Sequence, residues 1–269
     1  MNARDSAWNA GRGVGTAGLA LSLLVGQIGA HGRLAGRSTV ITFYYSLAPN
    51  PMKVALCLEE MGLAYEPKPV DTRKGEQHQP DFLAINPNGK VPVIIDQGTG
   101  ARVFDSNAIL LFLAEKTGQF LPETTPQARG ELLSWLMFVA TGVGPFSGQA
   151  VHFRHFAPEP NDYAVSRYLY EARRHYGILD ARLAEHPFML GDTYTIVDMA
   201  VWGWARMVPF IMGEDAWGGL PNLNRLVDAI SARPAAQAAV ALKEMHAFKT
   251  EMDEEARRHM FRHLATQAP

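Results

Sequence analysis

Asp105 and Ser106 have the types and the position to bind a small charged ligand. They stand immediately before an apolar helical run, residues 108–113. The first turn of a helix has unsatisfied N–H groups and a partial positive charge, so it attracts a carboxylate, to which Ser106 can donate its hydroxyl. The Asp105 carboxylate would instead pair with an ammonium group. The dipeptide therefore predicts a site for a small zwitterionic peptide, with a helix cap that holds no ligand as the alternative.

Val91-Pro92, at the start of a predicted strand, is the second candidate. A proline is tolerated there because the first residue of a strand needs no N–H partner. A cis bond before it would turn the Val91 backbone N–H and C=O outward, where a peptide ligand could pair with them as an added strand. A plain trans proline is the alternative.

Asn50 lies just before the first predicted helix. An amide donor at a positive helix end can stabilise a bound thiolate and lower the pKa of the thiol without being a nucleophile itself. A simple Pro-Asn-Pro turn is the alternative. Tyr44, Tyr45 and Ser46 are nearby hydroxyl alternatives for the same role.

Other polar and sulfur side chains favour structural roles. Thr195 and Asp198 have the spacing of a reciprocal N-terminal helix cap. Cys57, the one cysteine of the chain, lies between leucines and is expected to be a buried structural thiol. His152 and His155 could belong to a metal or catalytic cluster, but no acidic ligand is close in sequence, so surface or pocket-lining histidines are preferred.

The elements that must position these residues form two groups. Strands are predicted at 39–45, 65–70, 91–96 and 101–104, with helices at 51–61, at a short turn within 80–89, and from Ser106 to about 118. This order predicts one four-stranded sheet whose first pair is joined by a right-handed crossover and whose last pair is a hairpin. After Pro126 only helices are predicted, at 128–141, 164–184, 196–208, 222–232 and 235–245.

The domain prediction follows these groups. Residues 39–119 form an α/β domain, 120–127 a linker, and 128–248 an all-α domain. The charged tail, 249–269, could form a terminal helix or fray. Residues 1–38 are glycine-rich and basic with a short apolar stretch, so a disordered leader or an over-extended start is preferred over an export signal.

The composition of the chain indicates which partners and which cellular compartment to expect. The formal net charge of −2 over 269 residues gives no electrostatic case for nucleic acid or for an anionic membrane surface. One cysteine excludes an intrachain disulfide and favours a reducing compartment. A cytoplasmic protein is expected, with export as the alternative.

Taken in order along the chain, four segments resemble the cytosolic glutathione transferases. They are Tyr44-Tyr45-Ser46 followed by the Asn50 helix, residues 86–92 (NPNGKVP), residues 105–109 (DSNAI) and residues 195–198 (TIVD). The resemblance covers about 39–245. It implies a thioredoxin-like N-terminal domain, an all-α C-terminal domain, a homodimer, glutathione held as cosubstrate by the first domain, and a second substrate in the cleft.

Within that superfamily the chain is similar to the bacterial Nu class, which includes glutathione-dependent disulfide-bond reductases. The similarity lies in residues 48–50, 74–83, 144–149, 152–153 and 163–168. It implies the following roles: Asn50 as catalytic residue; Asn50, Gln77, Lys90, Val91, Asp105, Ser106 and Arg167 as glutathione-binding residues, with Arg167 reaching the ligand of the neighbouring subunit; and Phe146, His152 and Phe153 in the second-substrate pocket. No metal is implied.

The expected activity is transfer of the glutathione thiolate to a disulfide, a peroxide or an electrophilic carbon, with disulfide reduction favoured. The Nu class has a threonine where this chain has Ala48 and a glycine where it has Pro51. These departures motivate the alternative of a non-catalytic member that binds glutathione or another ligand. A metal hydrolase using His152 and His155 is a third hypothesis.

Overall fold

The structure, a computed structural model, describes residues 41–264. The predicted leader, residues 1–38, lies outside this range, as do residues 265–269 of the predicted tail. All the described residues fall in one compact unit. The proposed division at 120–127 therefore stays a prediction.

The described strands form a single mixed sheet. They are β1 (Ile41–Tyr45), β2 (Tyr65–Pro69), β3 (Val93–Asp96) and β4 (Arg102–Phe104), in the order β2-β1-β3-β4. Strand β1 runs parallel to β2 and antiparallel to β3, and β3 and β4 form an antiparallel hairpin. The predicted four-stranded mixed sheet is confirmed.

Proline explains two features of this sheet. Pro67 and Pro69 lie in β2, which is an edge strand, where a residue without an N–H is tolerated. Strand β3 begins at Val93 and not at Val91, because Pro92 has no N–H to offer a strand ladder.

Three helices accompany the sheet: α1 (Pro49–Glu60) between β1 and β2, α2 (Pro80–Leu83) before β3, and α3 (Ser106–Thr117) after β4. Helix α1 begins at Pro49, two residues earlier than predicted. Proline is tolerated in the first turn of a helix because the N–H groups there have no intrahelical partner. Asn50 therefore lies inside the first turn of α1 and not before it.

The rest of the described chain is helical, as predicted. Its α-helices are α4 (Pro126–Phe138), α5 (Gly144–Val151), α6 (Asp162–Glu185), α7 (Ile196–Ala205), α8 (Val208–Met212), α9 (Pro221–Ser231), α10 (Pro234–Ala241) and α11 (Glu254–Met260). Two π-helical turns, Val139–Val143 and His152–Phe156, flank α5. Short 3-10 turns occur at Glu76–His78, Glu214–Gly219, Leu242–Glu244 and Arg262–Leu264.

Helix α5 was not predicted. The structure gives a packing reason for Gly144 in this helix and for Gly142 in the π-helical turn that precedes it. A Cβ at Gly142 would lie 2.4 Å from His175 Nε2, and one at Gly144 would lie 3.1 Å from Trp204 Nε1. Close approach of neighbouring side chains therefore accounts for glycine here, and the helix forms in spite of it.

The predicted reciprocal cap at the start of α7 is confirmed. The Asp198 carboxylate accepts hydrogen bonds from the backbone N–H of Thr195 at 2.8 Å and of Met189 at 2.8 Å. Asp198 is fully buried, so this carboxylate joins the start of α7 to the preceding loop in a place that water cannot reach.

We expect Asp198→Ala to lower the free energy of unfolding by about 3 kcal/mol, because two buried N–H groups lose their acceptor. Urea denaturation followed by circular dichroism would measure this. The exposed Asp192 is the matched control, and Asp192→Ala should change the free energy by less than about 0.5 kcal/mol. Equal effects of the two substitutions would contradict the assignment.

Candidate active site

Five of the residues predicted to bind glutathione meet in one groove of about 230 Å³ at the ends of β3, β4, α1 and α3. We call it the strand-end groove. Its lining consists of Asn50, Asn86, Asn88, Lys90, Val91, Pro92, Phe104, Asp105 and Ser106. The structure thus brings together Asn50, Lys90, Val91, Asp105 and Ser106, which come from three separate stretches of the chain.

Asp105 both caps α3 and faces this groove. Its Oδ1 accepts hydrogen bonds from the backbone N–H of Asn107 at 2.9 Å and of Ala108 at 3.1 Å. Its backbone has φ 70° and ψ 125°, which is strained for a residue with a Cβ and is found most often at functional sites. The cap that sequence reasoning gave as the alternative is therefore present, and it coexists with a groove-lining position for Ser106.

The bond between Val91 and Pro92 is cis, which decides between the two alternatives that the sequence left open. The preceding turn is shaped by Asn86, which is almost fully buried. Its Nδ2 donates to the Lys90 carbonyl at 2.6 Å, and its Oδ1 accepts from the Asn88 N–H at 3.0 Å. Gly89 supplies the positive φ of 62° that the turn requires. Asn86 thus holds the segment that presents Val91 to the groove.

The side-chain amide of Asn50 is fixed by a tryptophan from the helical part of the chain. Trp204 Nε1, on α7, donates to Asn50 Oδ1 at 2.8 Å. An indole N–H can only donate, so the amide oxygen must face Trp204 and the amide NH₂ group must face away from it. No sequence signal pointed to this pair, because the two residues are 154 positions apart.

The first turn of α1 offers few other donors. Pro49 and Pro51 have no N–H, so Asn50 is the only one of these three residues that can donate from its backbone. Its side-chain NH₂ group is a second donor at the same positive helix end. Asn50 therefore offers two hydrogen-bond donors that can stabilise a thiolate.

Gln77 lies beside the strand-end groove and not in its lining. It is 5 % exposed and its Nε2 donates to the Thr72 carbonyl at 3.1 Å and to the His259 carbonyl at 3.4 Å. Its Oε1 is buried and has no hydrogen-bond partner among residues 41–264. A hydrogen-bond donor of a ligand could therefore pair with this buried oxygen.

A second cavity, of about 440 Å³, lies next to the first turn of α1. We call it the apolar cleft. Its lining comes from residues 46–49 and 71–73, from helices α5, α7, α8 and α11, and from residues 248–250, and it includes Gly148, Val151, Phe156, Trp204, Met207, Phe210 and Ile211. Trp204 therefore contributes to the apolar cleft while it holds Asn50 at the strand-end groove.

Phe146, His152 and Phe153, which sequence reasoning placed in the second-substrate pocket, do not line the apolar cleft. Phe146 and Phe153 pack on Tyr168, with ring centroids 6.4 Å and 5.4 Å away, and His152 packs on Phe261 at 4.5 Å. In the same helical segment it is Gly148, Val151 and Phe156 that line the cleft, because only one face of a helix can point toward it. The predicted segment is adjacent to the cavity, and the role of these three side chains stays a prediction.

The predicted tail forms helix α11 and folds back over the loop that carries Gln77. The Lys249 N–H donates to Asp71 Oδ2 at 2.7 Å, and Arg73 Nη1 donates to the Lys249 carbonyl at 2.7 Å. Ala256 is fully buried. One face of α11 therefore packs against the protein, and the tail closes one side of the apolar cleft.

No metal cluster is evident at the histidines. Over residues 41–264 no group of three or more His, Cys, Asp or Glu side chains could hold a metal ion. His155 Nε2 instead pairs with the Phe210 carbonyl at 3.0 Å, and its ring stacks on Phe210. Nor does any described helix have the length and apolar character to cross a membrane.

Comparison with known proteins agrees with this geometry. The family model of the glutathione S-transferase N-terminal domain matches residues 39–115, and that of the C-terminal domain matches residues 162–229. The disulfide-bond oxidoreductase YfcG of Escherichia coli K12 is 44% identical over 172 residues, which cover 62% of this chain and 80% of that protein. The chain belongs to the glutathione S-transferase family. The resemblance inferred from the motifs is thus confirmed.

Solved structures of other glutathione S-transferases have the same fold. One from Pseudomonas fluorescens, with two glutathione molecules bound, is 34% identical with a TM-score of 0.71, over 75% of this chain and 92% of that one. One from Pseudomonas putida, with one glutathione disulfide bound per subunit, is 33% identical with a TM-score of 0.70, over 77% of this chain and 93% of that one. The predicted thioredoxin-like N-terminal domain and all-α C-terminal domain are confirmed.

Arg167 of this transferase lies on α6, where its Nη1 donates to Glu171 Oε1 at 2.6 Å. Glu171 also accepts from Arg174 at 2.9 Å. Arg167 does not line the strand-end groove of its own chain. Its expected reach to a neighbouring subunit stays a prediction.

Cys57 of this transferase is fully buried, and burial raises the pKa of its thiol far above the usual range. We expect no reaction with the thiol reagent DTNB in the folded protein, because the reactive form is an accessible thiolate. The chain unfolded in urea should react with one equivalent. Rapid labelling of the folded protein would contradict the structural role.

Proposed function

We propose that this protein is a glutathione-dependent disulfide-bond reductase: it binds glutathione in the strand-end groove and directs its thiolate onto a disulfide in the apolar cleft. The observation that carries the proposal is the Asn50 amide, oriented by Trp204 at the N-terminus of α1 and adjacent to Val91, Asp105 and Ser106. The comparisons support a glutathione-dependent activity, since the relatives include disulfide-bond oxidoreductases and glutathione-bound transferases.

The groove matches the polar groups of glutathione one by one. Ser106 and the positive end of α3 suit the γ-glutamyl carboxylate, and the Asp105 carboxylate suits the γ-glutamyl ammonium. The backbone of Val91 suits the cysteinyl N–H and C=O as an added strand. Lys90, at the rim, suits the glycyl carboxylate or solvent-side peptide groups, and Gln77 Oε1, which has no hydrogen-bond partner among residues 41–264, suits a donor of the ligand.

The thiol of glutathione must supply the reacting sulfur, because Cys57 is buried. The Asn50 amide NH₂ group and the partial positive charge of α1 favour the thiolate over the thiol, so they lower its pKa. The thiolate attacks one sulfur of a disulfide and displaces the other as a thiolate, leaving a mixed disulfide. A second glutathione thiolate then attacks the mixed disulfide, which releases the second substrate thiol and forms glutathione disulfide.

The apolar cleft suits the second substrate. Its volume of about 440 Å³ is in the range of small-molecule sites. Its walls are largely apolar, and Trp204 links it to the Asn50 amide. The solved transferases that hold two glutathione molecules or glutathione disulfide support a disulfide as the partner.

A non-catalytic binding member is the second candidate, motivated by Ala48 and Pro51. Ala48 is the N-cap of α1 and makes no side-chain hydrogen bond, so the hydroxyl that the Nu class would have there is missing. Pro51 removes a backbone donor from the same turn. If catalysis has decayed for these reasons, Ala48→Thr should raise a very low turnover by a large factor; robust turnover that this substitution leaves unchanged removes the motive.

A homodimer in the cytoplasm completes the proposal. Phe104 and Met137 are large apolar side chains that are 43% and 44% exposed, which supports an interface that covers them. A partner subunit there would also give Arg167 a ligand to reach. The cytoplasm is proposed because it keeps glutathione reduced and suits a chain with one thiol.

The decisive test compares two activities of the purified protein. We expect the rate of hydroxyethyl disulfide reduction with glutathione to exceed the rate of conjugation of an aryl halide. Calorimetric titration with reduced and with oxidised glutathione should show binding of both. Equal or faster conjugation would overturn the reductase assignment, and binding without either activity would favour the non-catalytic candidate.

Removal of the oriented amide should slow the reaction. We expect Asn50→Ala to lower kcat/KM for disulfide reduction by about 100-fold, because a preorganised donor to the sulfur is lost. Trp204→Phe should lower kcat/KM by about 10-fold, since the amide is then free to turn. Both substitutions should shift the pH–rate profile to higher pH, because the pKa of the bound thiol is then lowered less. Trp217→Phe is the matched control, because Trp217 makes no hydrogen bond to Asn50. An unchanged pH profile in both active-site variants would contradict the role of the amide.

A further inference from the structure

Lys53 is a buried cation that the proposed chemistry does not use. It lies on α1, one helical turn after Asn50, and it is 1% exposed. Lysine is almost never fully buried unless it has a partner of opposite charge. Its position therefore calls for an explanation.

The fold reserves space for this side chain. A Cβ at Gly203, on α7, would lie 2.3 Å from Lys53 Cγ and 2.8 Å from the Pro49 carbonyl oxygen. Only glycine allows α7 to pass this close to α1 with the lysine between them. The side chain is thus directed along a defined path toward the N-terminus of α3.

At the end of that path the ammonium meets two neutral acceptors. Lys53 Nζ donates to Ser106 Oγ at 3.3 Å and to Asn107 Oδ1 at 3.3 Å. The Asn107 amide is oriented for this, since its Nδ2 donates to the Leu136 carbonyl at 3.5 Å. Both partners come from the first turn of α3, the same turn that faces the strand-end groove.

The buried charge has no ion-pair partner among residues 41–264. Burial lowers the pKa of Lys53 to about 7, and the smaller, opposing effect comes from Asp105, the N-cap residue of α3, whose carboxylate raises the pKa. The facing residues Gly203 on α7 and Leu136 on α4 are uncharged. A buried cation without a close anion is costly, so a bound anion at this place would be favoured.

Ser106 connects this charge to the groove. Because its oxygen accepts from the ammonium, its own O–H proton is available to another acceptor. Ser106 is 4% exposed and lines the groove. The positive end of α3 and the Lys53 ammonium therefore converge on one hydroxyl that can donate into the groove.

We propose that Lys53 is a positioning residue for the γ-glutamyl carboxylate of glutathione, acting through the Ser106 hydroxyl and through its buried positive charge. This inference rests on the proposed glutathione-binding function. With Asp105 on the ammonium side, the site then carries one charge of each sign for an α-amino acid group. Lys53 does not touch the sulfur, so its effect lies on binding.

The test is a binding cycle with two ligands, measured by calorimetry at pH 6.5. The first ligand is S-methylglutathione, which has no thiol and cannot react. The second is its analogue with γ-aminobutyrate in place of the γ-glutamyl residue, which lacks only the carboxylate in question. Lys53→Met should weaken binding of S-methylglutathione by on the order of 10- to 100-fold and change binding of the analogue by less than about twofold.

Lys53→Gln provides a second variant that keeps a donor for Ser106 without the charge, in case the methionine variant does not fold. It should weaken binding in the same ligand-dependent way. Lys68→Met is the matched control, because it removes the same charge from the exposed β2 strand and should leave both affinities unchanged.

Equal losses for the two ligands, or no loss for either, would show a packing role and overturn the inference. Both results would leave wild-type binding of S-methylglutathione in place, and with it the proposed function. If the wild-type protein does not bind S-methylglutathione, the proposed function fails, and the inference fails with it.

Discussion

The contact between the first turn of α1 and helix α7 is the interaction on which the site depends. Helix α1 follows the first strand of the sheet, whereas α7 belongs to the helical part of the chain. At their contact Gly203 lets the two backbones approach, and Trp204 donates to the Asn50 side chain. The start of α7 is in turn fixed by the buried cap between Thr195 and Asp198. The amide proposed to stabilise a thiolate therefore lies on one part of the protein and is oriented by the other.

Electrostatics determines which kind of ligand the strand-end groove attracts. Helices α1 and α3 both begin at the strand-end groove, and the N-terminus of each contributes a partial positive charge. The ammonium group of buried Lys53, on α1, contacts Ser106 and Asn107 in the first turn of α3, while Asp105 supplies the one carboxylate of the groove lining. This pattern is the reason for proposing a zwitterionic peptide with a thiolate as the ligand, since the helix ends suit its anionic groups and Asp105 suits its ammonium group.

The apolar cleft is shaped by segments that are distant in sequence. The loop at 71–73 and the tail at 248–250 form one side, joined by the hydrogen bonds of Asp71 and Arg73 to Lys249. Helices α5 and α8 form the other. The tail therefore covers one side of the apolar cleft and also contacts the turn that carries Gln77.

Much of the fold followed from local patterns. Strand alternation, helical periodicity and the spacing of Thr195 and Asp198 are properties of neighbouring residues, so the mixed sheet, most helices and the cap could be predicted. The family motifs also named the groove residues Asn50, Val91, Asp105 and Ser106, since each lies in a short conspicuous segment. Helix α5 was missed; Gly144 in it and Gly142 in the turn before it are explained by close contact with Trp204 and His175, which no local pattern contains.

The sequence by itself determined the sheet, the helical half, the family and most of the polar groups that line the strand-end groove. Only the tertiary structure decided which amide face Asn50 presents, where the buried charge of Lys53 is directed, and which residues of the segment at 144–156 line the cleft. The reason is physical: hydrogen bonding, burial and close packing depend on distances between residues far apart in the chain, such as Trp204 and Asn50, and these distances exist only after folding.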